Sequence, residues 1–187
     1  MRALIIGCVL LMALPVCARE IEGVNVAETL QGAGGKTLQL NGAGVRTKFF
    51  FNIYIAELYM EHPSAVAREV LAADGEKRMV MHFLYSEVGK EKLVDGWNEG
   101  FEANCTKTEL ENLRVRINQF NSFFTDVKKN DIIVLDFVPG QGTAVTIAGK
   151  DKGRIKGRDF NDALLKIWLG KEPVTSSLKE KLLDYRK

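Results

Sequence analysis

Cysteine and histidine are too scarce in this chain to build a metal centre or a disulfide framework. Of the three cysteines, Cys8 and Cys17 fall in an apolar leader, so Cys105 is the one thiol beyond it, and His62 and His82 are the two histidines. A zinc site needs about four such ligands at short spacing, and a disulfide beyond the leader has no second sulfur. No metal or cofactor is expected, and Cys105 is expected to be a buried, inert thiol. An excess of one charge is missing too. Lysine and arginine number 26 against 24 acids, interspersed, for a net charge of +2, which is no footprint for a phosphate backbone. Nucleic acid is therefore not expected as a partner. Four prolines, no low-complexity tract and no internal repeat leave nothing to mark a linker or a second domain.

Apolar runs of membrane-spanning length are also absent. The run from Ala3 to Leu14 covers about 12 residues, where a spanning helix needs roughly 20. With Arg2 before it and Pro15, Val16, Cys17 and Ala18 after it, it has the charge, core and small-residue layout of a secretory signal. Cleavage after Ala18 is expected. The mature chain, residues 19–187, would then be a single domain in the periplasm or outside the cell, with no transmembrane anchor. Val16 is larger than the residue that precedes a lipidated cysteine, which disfavours a lipoprotein built on Cys17.

What is present is a pattern of strands in hairpins and helices in blocks. Lys36 to Asn41 alternates and Phe49 to Met60 is aromatic and β-branched, so both read as strands. The second is apolar on both faces over Phe49, Phe50, Phe51, Ile53, Tyr54 and Ile55, which predicts a central strand covered on both sides. A short helix opens at Pro63 and runs through Leu71, and Met79 to Tyr85 returns as a strand. Ser86 is the expected N-cap of a helix carrying Val88, Leu93, Trp97 and Phe101. Thr106 and Glu109 form a capping box before Leu110, Leu113, Ile117, Phe120 and Phe124. Strands follow at Ile132–Val138, Thr143–Ala148 and around Arg154–Lys156. Helices then carry Phe160, Leu164, Leu165 and Trp168 up to Gly170, and Thr175 to Tyr185. Such blocks predict an α+β fold with helices packed on an antiparallel sheet. Phe120, Phe123 and Phe124, like Phe49 to Phe51, are expected in the core.

Two glycine stretches imitate nucleotide motifs. Gly35-Lys36-Thr37 ends like a phosphate-binding loop, but Leu30 stands where that motif needs glycine, and a strand follows instead of a helix. Gly42-Ala43-Gly44 lacks the third glycine of a dinucleotide fingerprint and reads as a turn or bulge.

Leu40-Asn41-Gly42-Ala43-Gly44-Val45-Arg46, followed by a strand ending Leu58-Tyr59-Met60-Glu61, resembles the chalcone isomerase family. Tyr85-Ser86-Glu87 at a strand-to-helix junction and the helix from Ala163 to Gly170 resemble further family segments, in the same order. The resemblance implies a large antiparallel sheet covered by a layer of helices, with a ligand cleft between them, and it places Arg46 and Tyr85 in that cleft. Positions that contact substrate in the plant enzymes, a threonine, an asparagine and a Ser/Thr, fall at Tyr54, Lys92 and Ile167.

An arginine in an apolar hairpin is costly unless an anion or an acceptor meets it, and its planar fork suits a carboxylate or an enolate. A plainer reading has Arg46 reaching solvent or pairing with an acid such as Glu57. The family's fatty-acid-binding branch, as the resemblance implies, uses arginine with tyrosine to hold a carboxylate. The expectation is therefore an exported protein binding a small amphipathic acid through Arg46 and Tyr85. One alternative is an isomerase or intramolecular lyase in which Arg46 and Tyr85 are catalytic, stabilising the enolate of a chalcone-like or other enone substrate. Another is a non-catalytic partner-binding protein.

Overall fold

The computed structural model describes residues 18–185; the segment read as an export signal, apart from Ala18, lies outside them. In chain order the elements are β1 (Ala18–Ile21), β2 (Val24–Ala27), β3 (Thr29–Gln31), β4 (Thr37–Lys48), β5 (Phe51–Met60), α1 (Ala67–Ala72), β6 (Lys77–Phe83), β7 (Glu87–Val88), α2 (Lys90–Asn104), α3 (Lys107–Ser122), β8 (Val127–Lys128), β9 (Ile132–Val138), β10 (Gly142–Ile147), β11 (Lys150–Ile155), α4 (Arg158–Leu169) and α5 (Ser176–Leu182). Seven strands form one sheet in the order β11-β10-β9-β6-β5-β4-β3, antiparallel at every step. The α+β expectation holds, with the helices gathered on one face of the sheet.

That face holds the main core. Met79, Met81 and Phe83 of β6 and Ala56 and Leu58 of β5 meet Trp97 and Phe101 of α2, Leu113, Ile117 and Phe120 of α3, and Phe160, Leu164 and Trp168 of α4. The amphipathic stripe expected on the last of these helices is wider than a stripe: Phe160, Asn161, Ala163, Leu164, Leu165, Ile167, Trp168 and Leu169 are all buried. Exposed Arg158 and Asp159 at its start and half-buried Asp162 and Lys166 leave only a narrow polar edge, so the sheet and the neighbouring helices cover most of its circumference. The opposite face of the sheet carries a smaller cluster of Val26, Leu38, Leu40, Ala43 and Tyr59.

The central strand is only partly as expected. β5 is interior and buried from Tyr54 to Met60, but Phe49, Phe50 and Phe51 sit at the tip of the β4–β5 hairpin, 83%, 97% and 55% exposed. Their apolarity said core; the turn puts them beyond its edge. Phe120 and Phe124 are buried as expected, and Phe123 is half-buried.

Gly42-Ala43-Gly44 is no turn, because β4 runs straight through it. The pairing steps from Leu40 opposite Tyr59 to Gly42 opposite Leu58, which leaves Asn41 as the extra residue of a bulge. Fully buried Asn41 donates from Nδ2 to the Leu182 carbonyl at 2.7 Å and accepts from the Ser64 N–H at 2.7 Å. A Cβ on Gly42 would lie 2.2 Å from the Lys181 carbonyl oxygen, and one on Gly44 2.6 Å from the Lys181 Cβ. The two glycines are the seat on which α5 rests.

Ser86 caps no helix. Glu87 and Val88 first pair with Lys128 and Val127, and α2 starts afterwards with Gly89 at its N-cap. Backbone pairing to β8 outcompetes a hydroxyl cap. Cys105 is half-buried, not buried, and burial raises its thiol pKa, so it stays protonated.

The Thr106 capping box forms as read: the Thr106 hydroxyl accepts from the Glu109 N–H at 3.2 Å and the Thr106 N–H donates to Glu109 at 2.7 Å. That backbone donor, together with Lys166 at 2.9 Å, lowers the Glu109 carboxyl to about 2. A depressed acid stabilises the fold above its unfolded pKa, and the gain is lost as pH falls through the folded one. Glu109→Gln is therefore expected to show a shallower loss of melting temperature than wild type as pH falls from the ordinary 4.5 toward about 2. Identical slopes in thermal melts would contradict the assignment.

Candidate functional site

The cleft begins at the mouth of the β4–β5 hairpin. Arg46 of β4 stands directly opposite Tyr54 of β5, and the next pair is Thr47 with Asn52, so Ile53 is the extra residue of a second bulge. A bulge breaks side-chain alternation, and here Ile53 and Tyr54 line the same cleft. β6 contributes Met81 and Phe83, α2 contributes Leu93, Gly96 and Trp97, and Ile167 and Val174 close the far side. Apart from Arg46, the Tyr54 hydroxyl, the indole N–H of Trp97, which is buried without a partner among the described residues, and Lys92, an exposed residue of α2, the lining side chains are apolar.

Two donors converge there. Arg46 Nε is buried and has no hydrogen-bond partner among the described residues, while its guanidinium carbon lies 5.5 Å from the centre of the Tyr54 ring. The Tyr54 oxygen accepts from Trp168 Nε1 at 3.0 Å, which leaves its own proton to donate. Burial raises the Tyr54 pKa, against the opposing pull of the Arg46 cation and the Trp168 N–H, so the phenol keeps that proton at neutral pH. A buried donor left unpaired costs free energy. A carboxylate or an oxyanion in the cleft would satisfy both donors at once.

The structure gathers Arg46, Tyr54, Lys92 and Ile167 around one cleft and leaves Tyr85 out of it. β6 ends at Phe83, and the N–H groups of Leu84 and Tyr85 both donate to the Ile53 carbonyl, at 2.9 and 3.2 Å. Alternation is lost at that step, and the Tyr85 ring packs edge-on against Phe51 at 5.5 Å between centroids. The tyrosine beside Arg46 is Tyr54. Glu57 is no partner for Arg46 either, since it accepts from the Tyr59 hydroxyl at 2.8 Å three residues along β5 from Tyr54; burial raises its carboxyl pKa.

Sequence reasoning missed Gly96, Trp168 and the bulged Ile53. Gly96 lines the cleft, yet a Cβ placed on it meets nothing within 4 Å. Nothing in the local pattern marks it, because only the approach of a sheet to α2 makes that space a ligand wall. Trp168 meets Tyr54 across 114 positions of sequence.

The cleft holds about 50 Å³, room for a head group such as one carboxylate. A drug-sized ligand fills several hundred Å³, so an attached chain requires a wall to move. A broader groove of about 1010 Å³ runs past Leu71, Cys105, Asp162 and Lys166. Several of its charges serve one another, with Lys166 on Glu109 at 2.9 Å and Arg158 on Asp162 at 3.4 Å, and the further cations Arg68 and Lys171 are exposed side chains rather than buried donors. The small cleft is the better site on chemistry, although not on size. Among the described residues no group of three or more His, Cys, Asp and Glu side chains is placed to hold a metal.

A family model described as chalcone isomerase-like matches residues 18–184. Among solved structures, the chain resembles the crystal structure of a fatty-acid binding protein of Arabidopsis thaliana, with a TM-score of 0.63 and 16% identity over 84% of this chain and 96% of that one. At that identity the likeness speaks for the fold. No curated protein matches the sequence.

Proposed function

The chain belongs to the chalcone isomerase-like family, and on that premise we propose that its cleft binds the carboxylate of a small amphipathic acid, such as a fatty acid. The observation that carries this is the buried, unpartnered Nε of Arg46 in an apolar cleft, beside a tyrosine whose proton is free. The fatty-acid binding protein of similar fold supports the choice of ligand class. The same reading takes residues 1–18 as a cleaved export signal, so that the protein handles its ligand in the periplasm or outside the cell.

Two variants test it by titration with laurate, followed through tryptophan fluorescence because Trp97 lines the cleft. Arg46→Ala removes a charged hydrogen-bond donor and is expected to weaken binding about ten- to a hundredfold. Gly96→Leu grows into open space, so it should block the cleft while keeping the fold, and a leucine in place of a helical glycine should add rather than remove stability. Undiminished laurate binding by Arg46→Ala would sink the proposal.

The same donors would serve an enolate, and on an isomerase reading the Tyr54 proton is the feature that favours it. Cyclisation of a chalcone above background, lost in both Arg46→Ala and Tyr54→Phe, would decide for catalysis.

A further inference from the structure

Six large apolar side chains are exposed among the described residues, and four of them, Phe49, Phe50, Phe51 and Ile132, lie at one end of the sheet. Phe49 to Phe51 make the tip of the β4–β5 hairpin. Ile132 opens β9 opposite His82, next to Phe83, whose partner across β5 is Tyr54. Phe49 holds a positive φ of 57°, a region bulky side chains rarely take. The turn thus keeps adjacent phenyl rings outward in a conformation that suits asparagine or glycine better.

Lysines ring this end: Lys48 on the hairpin, Lys128 and Lys129 at and after β8, Lys150 and Lys152 at the start of β11. The Lys129 N–H donates to the Ser86 carbonyl, which ties that turn beside Tyr85 and hence beside Phe51. None of the five ammonium groups is in a salt bridge among the described residues. The acids at this end are Glu87, Asp126, Asp131 and Asp151. Asp126, Asp131 and Asp151 each spend an oxygen on a backbone N–H, of Lys90, Lys128 and Gly153. These bonds hold the three carboxylates to the turns without cancelling their charge, so the five lysines leave a small positive excess over the four acids, with none of them tied in an ion pair among the described residues.

We propose that this end of the sheet docks on an anionic lipid bilayer, with Phe49, Phe50 and Phe51 seated at the boundary between head groups and acyl chains and the five lysines on the anionic head groups. Exposed aromatic rings flanked by unpaired cations are the combination such a surface rewards. Arg46 lies three residues before Phe49, so docking brings the mouth of the cleft to the lipid. The proposal does not depend on what the cleft binds.

The test is flotation of the purified protein with vesicles free of fatty acid, made either of equimolar phosphatidylcholine and phosphatidylglycerol or of phosphatidylcholine alone. Wild type is expected to float with the mixed vesicles, far less with the neutral ones, and less in high salt. The double variant Phe49→Asn/Phe50→Ser is expected to lose about tenfold or more in partitioning. Its thermal melt should match wild type, because both side chains leave the core untouched and asparagine suits the positive φ. Equal flotation by the double variant, or no flotation of wild type, would overturn the proposal. So would a wild-type dimer in sedimentation equilibrium that the variant abolishes, without vesicle binding, since a second copy would then be the occupant. None of these outcomes bears on laurate binding by Arg46, so the two readings fail separately.

Discussion

Trp168→Ala is expected to cost about 3–5 kcal/mol, a large share of the roughly 5–15 kcal/mol that holds a domain together. Trp168 is fully buried, on a helix covered over most of its circumference, with its ring 5.7 Å from that of Trp97. Removing it leaves a cavity that the sheet and three helices cannot collapse to fill, since each is held by its own ladder or turn. It also takes the indole N–H donor from the Tyr54 oxygen. Trp168→Phe separates the two effects. It keeps most of the ring volume and removes the N–H, so about 1–3 kcal/mol should remain as the cost of the lost bond and the residual gap. Urea denaturation of the three proteins measures both. A Trp168→Ala loss below about 1.5 kcal/mol would mean that the packing around α4 is looser than described.

Gly42→Ala is the smallest change with a comparably large effect. The added Cβ would lie 2.2 Å from the Lys181 carbonyl oxygen and 2.6 Å from the Leu182 carbonyl. These are backbone atoms of α5, which cannot swing aside as the end of a side chain can, so the helix must lift. Lifting exposes Leu178 and Leu182, both buried to within 1%, and breaks the bond from Asn41 to the Leu182 carbonyl. Two leucines at about 1.5–3 kcal/mol each set the scale, and the strand adjusts in part, so a loss of about 3 kcal/mol is expected. Hydrogen exchange locates it: amides of α5 should lose protection while those of β9 and β10 keep theirs. Gly96→Ala serves as the control, since a Cβ there meets nothing within 4 Å. Retained protection across α5 in Gly42→Ala would contradict the seat described for it.

Much of the frame was readable in order along the chain. The Thr106 capping box is a local device, complete within four residues, and it forms as its spacing predicts. β5 emerges from an apolar run buried almost throughout its inner length, and β6, β9 and β10 from runs that alternate buried with half-buried residues. Arg46 was findable because the family resemblance placed it in the cleft, where a cation in a largely apolar hairpin is costly without a partner. Other features had no local signature. Phe49 to Phe51 carry the composition of a core strand, and only the position of the hairpin turn sends them to solvent. The resemblance put Tyr85 beside Arg46 and matched Tyr54 only to a threonine position; which tyrosine joins the arginine depends on a bulge at Ile53 and on two amides sharing one carbonyl. The glycines at 42 and 44 read as a turn or a bulge, and a bulge does fall beside them at Asn41; nothing nearby shows that a helix from the far end of the chain will rest on them.

The sequence by itself therefore determined the α+β class, the antiparallel hairpins and the capping box of the third helix, all of which follow from periodicity and local hydrogen bonding. Tertiary structure alone decided which tyrosine faces Arg46, where the phenylalanines end up and why Gly42 must stay bare. Those outcomes depend on register shifts of a single residue and on contacts between segments as distant as Asn41 and Leu182. A one-residue slip turns a side chain to the other face of a sheet, and nothing in the nearby sequence records it.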